Sequence, residues 1–343
     1  MITIRIKGKS ALETIATAER VTRSLADAVK GDLPGHPFRG NQWSGGTGGT
    51  APDTGGSFGG GGSAARAATS ETRRGKDGKL MMADGSPLPN WIPKAIPPAW
   101  TDVRVATDPK AEVLVTGRDK KGKSQAIYSA EHDLKSAAIK FARIKELDVK
   151  KAQIDADLEK DLRSGDPERR ENALVLKLIR DTGIRAGGEG NTKAEKQAFG
   201  ATTLEARHVK VLKRGVELRF VGKKGVDLQI SVGDKRLSNE LVQRSLSRGR
   251  RDRLFDTTYN KLLEFTRTKD GGEFTPKDFR TLKASELSSE LVRSMPKPKT
   301  EKDYKKAVRA VAKAVSERLG NTPTVALQSY IPPMVFSVWR KAR

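Results

Sequence analysis

The spacing of apolar residues changes once along this 343-residue chain, and that change constrains the fold more than any other feature. Apolar and polar residues first alternate in three short runs, which are Asp102–Ala106, Glu112–Thr116 and Ser124–Tyr128. Such alternation, with turn residues between the runs, predicts a small antiparallel β domain. From about Glu131 the spacing becomes helical, so the predicted fold class is α+β, with a mostly helical second domain.

The helical part carries its own start signals and one β excursion. Asp166 precedes a proline at the first helical position, and Thr275–Asp278 is typical of a capping box. Apolar residues from Tyr304 to Leu319 recur at helical spacing and predict a buried helix face. The excursion consists of three runs, His208–Leu212, Gly215–Val221 and Val226–Val232.

Glycine dominates the segment Ser44–Ser63, where it supplies 10 of 20 residues. This composition buries too little apolar surface to offset chain entropy, so it predicts a flexible linker. The chain is therefore expected to consist of a disordered N-terminal extension (1–86), an N-terminal β domain (87–130) and a catalytic domain (131–343).

The net charge of +24 points to a polyanionic partner, because such an excess of charge repels itself in a compact chain. Residues 1–84 contribute only +4 of it, so the expected nucleic-acid surface belongs to the remainder. The chain has no apolar run long enough for a membrane span and no signal sequence, so a cytoplasmic protein without a membrane partner is expected.

Several kinds of chemistry are excluded by the residues themselves. Cysteine is absent, which removes disulfides, thiolate zinc sites and cysteine nucleophiles. The three histidines, His36, His132 and His208, lie far apart, so no metal site is expected.

The run Gly117–Ser124 satisfies the phosphate-loop pattern GxxxxGK[ST], so a nucleotide site has to be considered. Four charged residues crowd the loop, and the sequence after it continues as a strand rather than as a helix. We therefore interpret the run as a β-hairpin whose tip offers charge to a phosphate backbone through Arg118, Lys120, Lys121 and Lys123.

Five residues form a candidate catalytic set, although each taken singly could be structural. They are Arg185, Lys223, Arg280, Asn321 and Tyr330. Two guanidiniums can hold the oxygens of a phosphodiester, and a nearby cationic field favours the phenolate of a tyrosine. A lysine can protonate the departing alkoxide. The set therefore suits phosphoryl transfer without a metal or another cofactor.

The motifs that carry these residues resemble the type IB DNA topoisomerases of the poxvirus and bacterial branch. They are Ile96–Val103, Thr116–Asp119 with Gln125 and Tyr128, Phe220–Lys223, Lys277–Thr281, and Leu319–Pro323 with Tyr330. The resemblance runs in order from about Pro89 to the C-terminus. It implies a monomeric clamp around double-stranded DNA that relaxes supercoils without ATP.

The resemblance also implies a role for each residue. Tyr330 would form a 3′-phosphotyrosyl bond, Arg185 and Arg280 would bind the scissile phosphate, and Lys223 would be the general acid. Asn321 stands where poxvirus members have histidine and bacterial members asparagine. Lys123, Gln125 and Tyr128 would match DNA-contacting positions. A bacterial or phage-encoded protein associated with the nucleoid is expected.

Two alternatives remain open at this point. A tyrosine recombinase uses similar chemistry, but it usually carries a histidine shortly before the second arginine and begins with a helical domain. A non-enzymatic DNA-binding descendant would need to have lost one catalytic position, whereas all five are present here.

Overall fold

The computed structural model describes residues 68–93, 95–191, 197–213, 215–269 and 274–339. The predicted linker Ser44–Ser63 lies outside these residues. The strands are β1 (Thr69–Arg74), β2 (Leu80–Met82), β3 (Thr101–Ala106), β4 (Val113–Arg118), β5 (Ser124–Tyr128), β6 (Val209–Leu212), β7 (Gly215–Gly222) and β8 (Val226–Val232). The α-helices are α1 (Ala130–Asp161), α2 (Pro167–Thr182), α3 (Lys235–Ser247), α4 (Tyr259–Arg267), α5 (Pro276–Ser294), α6 (Glu301–Leu319) and α7 (Pro323–Ser329).

The described residues divide into two units, one ending at Ile139 and the other beginning at Lys140. The first unit contains an antiparallel five-stranded sheet in the order β2-β1-β3-β4-β5. Val103, Val105 and Val115 form the centre of its small core, against which Trp100 and Ile127 pack. The predicted α+β class, with a small antiparallel domain before a helical one, is confirmed.

The sheet begins earlier than the sequence analysis expects. Strands β1 and β2 lie within the segment 1–86, for which the sequence predicts a disordered extension. The sequence of β1, Thr-Ser-Glu-Thr-Arg-Arg, has no apolar alternation, so hydrophobic patterning cannot detect it. Backbone pairing with β2 and β3 holds it in place, and the Thr72 hydroxyl donates to the Val103 carbonyl at 2.7 Å.

The second unit surrounds a larger core built from α2, α5 and the β6-β7-β8 sheet. Helix α2 supplies Leu176, Leu178 and Ile179, which are fully buried. The sheet contributes Leu218, which lies opposite Ile230 on the neighbouring strand. The predicted β excursion is therefore confirmed as an antiparallel sheet within the helical domain.

Helix starts follow the predicted caps. Asp166 accepts a hydrogen bond from the Glu168 amide at 2.9 Å, and Pro167 occupies the first helical position of α2. At α5, Asp278 accepts from both the amide and the hydroxyl of Thr275, at 2.9 and 2.8 Å. This capping box fixes where α5 begins and so fixes the position of the residues in its first turns.

Candidate active site

Tyr330 lies where α7 ends. The helix starts at Pro323, with the Thr322 hydroxyl accepting from the Val325 amide, and the Tyr330 amide donates to the Ala326 carbonyl at 3.0 Å. Proline lacks the amide hydrogen that an α-helix requires, so the prolines at 332 and 333 prevent α7 from continuing. The chain turns there, and Tyr330 is left buried, with 5% of its surface exposed.

Arg280 is the residue that packs against Tyr330. Its guanidinium carbon lies 5.1 Å from the centroid of the Tyr330 ring. One Nη donates to the Leu319 carbonyl at 2.6 Å and the other to the Gly183 carbonyl. These carbonyls stand at the C-terminal ends of α6 and α2, where the helix dipole favours a cation.

No carboxylate in the described part of the chain pairs with Arg280, although the residue is only 3% exposed. Burial lowers the pKa of Arg280 to about 10, and the charge of Arg185 acts in the same direction, while Tyr330 opposes both. Arg280 therefore stays cationic at neutral pH, and its positive charge is available to interact with Tyr330 and with an anionic ligand.

Arg185 is held by a loop of close backbone contacts. Its carbonyl accepts from the Ala201 amide at 2.8 Å. A Cβ on Gly200 would lie 2.6 Å from the Gly187 Cα, so only glycine permits this approach. Upstream, Gly183 ends α2 in the left-handed conformation at φ 73°. The loop leaves the Arg185 side chain half-buried and without a carboxylate partner among the described residues.

The pKa of Tyr330 is lowered from 10.0 to about 7. Burial alone would raise it, because the phenolate loses hydration. The positive charges of Arg280, Arg185 and Lys277 act against burial and outweigh it. A substantial fraction of this phenol is therefore ionised at neutral pH, which is the state a tyrosine nucleophile needs.

Asn321 follows Gly320, which ends α6 in the left-handed conformation at φ 59°. Both polar atoms of its amide, Oδ1 and Nδ2, are buried and have no hydrogen-bond partner among the described residues. An unpaired buried amide is costly, so this side chain suits a position completed by a polar ligand. Asn321 lies two residues from the Leu319 carbonyl that holds Arg280.

Lys223 stands on the three-residue turn between β7 and β8. The turn is closed by the Gly225 amide, which donates to the Gly222 carbonyl at 3.1 Å. The Lys223 side chain is half-buried. A Cβ on Gly320 would overlap Leu228 of β8, so the hairpin that carries Lys223 packs against the residue preceding Asn321.

The predicted DNA-contacting residues lie on the β4–β5 hairpin of the first unit. Gly117 pairs with Gln125 across the two strands, which confirms the hairpin interpretation of the phosphate-loop pattern. The Asp119 carboxylate organises the tip, because it accepts from the amides of Lys121 and Lys123. At that tip four cations are exposed, namely Arg118, Lys120, Lys121 and Lys123.

The other two predicted DNA-contacting residues, Gln125 and Tyr128, each contact another side chain of the protein. The Gln125 amide donates to the Asp119 carboxylate at 2.9 Å, while the Tyr128 ring stacks on His132 with centroids 4.3 Å apart. Because side chains alternate along β5, Gln125 and Tyr128 point to opposite faces of the sheet. The two side chains therefore do not form a single patch on one face.

Sequence reasoning missed two lysines near Tyr330. Lys277 lies three residues before Arg280 on α5, and its charge helps to lower the pKa of Tyr330. The helical spacing of Lys277 and Arg280 was a usable signal. Lys140 on α1 donates to the Ser329 carbonyl at 2.9 Å. No local pattern connects it to a site 189 residues away.

Within the described ranges, no helix is long and apolar enough to cross a bilayer. The same residues contain no cluster of three or more histidine or acidic side chains arranged to hold a metal ion. The charge that this site presents to a ligand therefore comes from arginine and lysine.

Comparison with known proteins defines a class that matches this site. The family described as "Eukaryotic DNA topoisomerase I, catalytic core" matches residues 128–332, and "Bacterial DNA topoisomerase IB, N-terminal domain" matches residues 94–119. The DNA topoisomerase 1B of Acanthamoeba polyphaga mimivirus is 28% identical over a 256-residue alignment that covers 69% of this chain and 75% of the relative.

The catalytic-core match covers more than half of the chain, and it includes all five residues of the candidate set. The chain therefore belongs to the type IB DNA topoisomerase family and is a DNA topoisomerase of that type. Its substrate is DNA. The sequence left a tyrosine recombinase open as an alternative to a topoisomerase, and the family matches favour the topoisomerase.

Proposed function

We propose that this chain relaxes supercoiled DNA by breaking and rejoining one strand through a 3′-phosphotyrosyl bond to Tyr330, without ATP or a metal ion. One observation carries the proposal. The phenol of Tyr330 is buried beneath the Arg280 guanidinium, and its pKa is lowered to about 7.

In the cleavage step, the Tyr330 Oη attacks the phosphorus and the bond to the 5′-oxygen breaks. Arg185 and Arg280 bind the non-bridging oxygens, where negative charge accumulates in the transition state. The Asn321 amide adds a neutral hydrogen bond to one of them. Lys223 gives its proton to the 5′-oxygen, which would otherwise leave as a high-energy alkoxide.

Rejoining reverses each of these transfers. The 5′-hydroxyl attacks the phosphotyrosine, its proton returns to Lys223, and the Tyr330 phenolate leaves. One phosphodiester is exchanged for another in each direction, so the bond energy is kept and no ATP is needed. Between the two steps the cut strand can rotate about the intact one, which relaxes supercoils of either sign.

The cations of the β4–β5 hairpin would hold the DNA backbone during this cycle. Arg118, Lys120, Lys121 and Lys123 are exposed at its tip, and such side chains bind phosphates without regard to sequence. We assign the N-terminal β domain and the catalytic domain to one monomeric clamp around duplex DNA. The match to a bacterial N-terminal domain supports a bacterial or phage-encoded enzyme that acts in the cytoplasm on nucleoid DNA.

Plasmid relaxation in EDTA, with no nucleotide added, tests the proposal. The wild-type protein should relax positive and negative supercoils, and denaturation during the reaction should trap a covalent adduct at the peptide that contains Tyr330. Tyr330→Phe should bind DNA as the wild type does but form no adduct, because the nucleophilic oxygen is gone.

Tyr304→Phe is the matched control, since Tyr304 is also a tyrosine with 5% exposure but lies on α6 against Trp339. It should retain relaxation and adduct formation. An adduct that persists in Tyr330→Phe would identify another nucleophile. Relaxation that stops in EDTA would contradict independence from metal ions.

A further inference from the structure

Helix α1 contacts both halves of the candidate site through two residues one helical turn apart. Lys140 donates to the carbonyl of Ser329, the residue directly before Tyr330, at 2.9 Å. Arg143 binds the Asp278 carboxylate at 2.8 Å. Residues separated by three positions share a helix face, so one face of α1 reaches both segments.

The contact at Ser329 satisfies a carbonyl at the end of α7. Carbonyls in the last turn of a helix have no partner within the helix, and a cation there is favoured by the helix dipole. Helix α7 has only seven residues, which is too short to be stable alone. Its position, and that of the tyrosine following it, therefore depends on contacts from elsewhere in the fold.

The contact at Asp278 acts on the other half of the site. Asp278 is 2% exposed, and its second carboxylate oxygen closes the capping box with Thr275. This box starts α5, the helix that carries Arg280. Arg143 therefore holds the helix of the phosphate-binding arginine, while Lys140 holds the helix of the tyrosine.

We propose that Lys140 is a positioning residue for strand cleavage, which fixes the C-terminal end of α7 so that the Tyr330 phenol stays beneath Arg280. The inference rests on the proposed role of Tyr330. Lys140 itself does not touch the reacting atoms. It acts through the main chain of the residue that precedes the nucleophile.

The charge of Lys140 links this role to pH. Burial lowers the pKa of Lys140 to about 8, and the charges of Lys277 on α5 and Arg143 on α1 add to that effect. The phenolate of Tyr330 and the carboxylate of Asp278 act in the opposite direction. A neutral amine makes a weaker hydrogen bond to the carbonyl than an ammonium does.

These values predict an alkaline limit on cleavage. Between about pH 7 and pH 8 the tyrosine is ionised while Lys140 is still charged, so the rate should be greatest there. Above pH 8 the rate should fall as Lys140 loses its proton. In Lys140→Arg the guanidinium stays charged, so the alkaline limb should move upward by at least one pH unit.

Single-turnover cleavage of a short duplex by excess full-length enzyme, measured from pH 6 to pH 10, tests this. Lys140→Met keeps the apolar stem but removes the donor, and it should slow cleavage about tenfold at pH 7.5 with DNA affinity unchanged within about twofold. Lys140→Arg should restore most of the rate. Lys145→Met, an exposed lysine on the same helix, is the matched control and should cleave like the wild type.

The outcomes separate this inference from the proposed function. If Tyr330→Phe forms no adduct but both Lys140 variants match the wild type in rate and pH profile, only the role of Lys140 is overturned. If Lys140→Met does not fold, the Lys140→Arg profile decides. Lys223 is unchanged in that variant. If the cleavage rate of Lys140→Arg falls at the same alkaline pH as that of the wild type, a group other than Lys140 causes the fall, and the proposal is overturned.

Discussion

Two opposing effects act on the pKa of the Tyr330 phenol, and their balance decides whether the phenol is ionised at neutral pH. Burial favours the neutral form, whereas the charges of Arg280, Arg185 and Lys277 favour the phenolate. The effect of the positive charges is larger than that of burial, because no described carboxylate neutralises Arg280 or Arg185. A site with the same burial but with paired arginines would raise the pKa of the tyrosine instead.

Titration of the protein without DNA should show this directly. The chain has four tyrosines, so the ultraviolet difference between wild type and Tyr330→Phe isolates one phenolate. Its midpoint should lie near pH 7, and Arg280→Gln should move it upward by more than one pH unit because burial then acts against fewer charges. A wild-type midpoint near 10 would contradict the electrostatic account.

The same shift should appear in stability. The folded pKa of Tyr330 is lower than the unfolded value, so the unfolded state holds the extra proton between about pH 7 and pH 10, and stability from this group rises with pH across that window. The contribution is lost as the pH falls through 7. In Tyr330→Phe this part of the pH dependence should be absent from urea unfolding curves.

At the scale of single residues, the sequence could predict those site residues that lie in local motifs, but not those that depend on contacts between distant parts of the chain. Arg185, Arg280 and Tyr330 lie in motifs with local signals, namely a helix end, a capped helix start and a pair of prolines. Lys140 has no such signal, because its role depends on a tertiary contact to the Ser329 carbonyl. The pKa of Tyr330 likewise depends on burial and on charges that only the folded chain assembles.

At the scale of elements, the junction between α6 and α7 contains three structural features of the candidate site in three consecutive residues. The Leu319 carbonyl accepts from Arg280, Gly320 lies against Leu228 of β8, and the amide of Asn321 is buried without a hydrogen-bond partner among the described residues. The turn therefore sets the distance between Arg280, the Asn321 amide and the hairpin of Lys223. Small changes of backbone here should affect catalysis more than similar changes elsewhere.

Gly320→Ala should show this sensitivity. A methyl group would overlap Leu228, and the left-handed backbone at φ 59° costs a non-glycine residue about 1–2 kcal/mol. We expect a loss of stability of that order or more, together with at least a tenfold slower single-turnover cleavage.

Gly215→Ala is the control for backbone strain in the same unit. Gly215 has a φ of 127°, and a methyl group added there would meet no described atom within 4 Å. The residue begins β7, away from the turn of Lys223. This variant should lose stability but cleave within about twofold of the wild-type rate. Equal effects of the two substitutions on cleavage would show that the junction does not position the site.

Helices and strands were not equally predictable. The caps at Asp166 and Thr275 are local hydrogen bonds between neighbours in the sequence, so their signals survive in the sequence. Strand β1 depends on partners that include Val103, 31 residues from Thr72. Its polar sequence offers no apolar face to detect, and only the pairing on both sides makes it a strand.

At the scale of the whole molecule, the charge of +24 is carried mostly by the part of the chain after residue 84. The exposed cations at the β4–β5 hairpin belong to the first unit, whereas the buried Arg280 and the half-buried Arg185 belong to the second. The first group suits binding of a DNA backbone, and the second suits chemistry on one phosphate. The net charge alone predicted a nucleic-acid partner, but only the fold shows that these two groups of cations lie in different units.

The start of the β domain gives a test at this scale. A variant that begins at residue 68 keeps every described strand, whereas one that begins at residue 85 loses β1 and β2. In the shorter variant β3 becomes an edge strand that pairs only with β4, and the bond from Thr72 and the ion pair of Glu71 with Arg104 are lost. Leu80 and Met82 also leave the apolar core of this unit.

We expect the variant that begins at residue 68 to match the full chain in thermal unfolding and in relaxation. The variant that begins at residue 85 should show faster hydrogen exchange at the β3 amides and at least tenfold weaker DNA binding, because the sheet that supports the cationic hairpin is loosened. Equal exchange at β3 in both variants would mean that β1 does not stabilise the sheet. The domain boundary at Pro87 expected from the sequence would then stand, since hydrophobic patterning alone would have located the stable part of the unit.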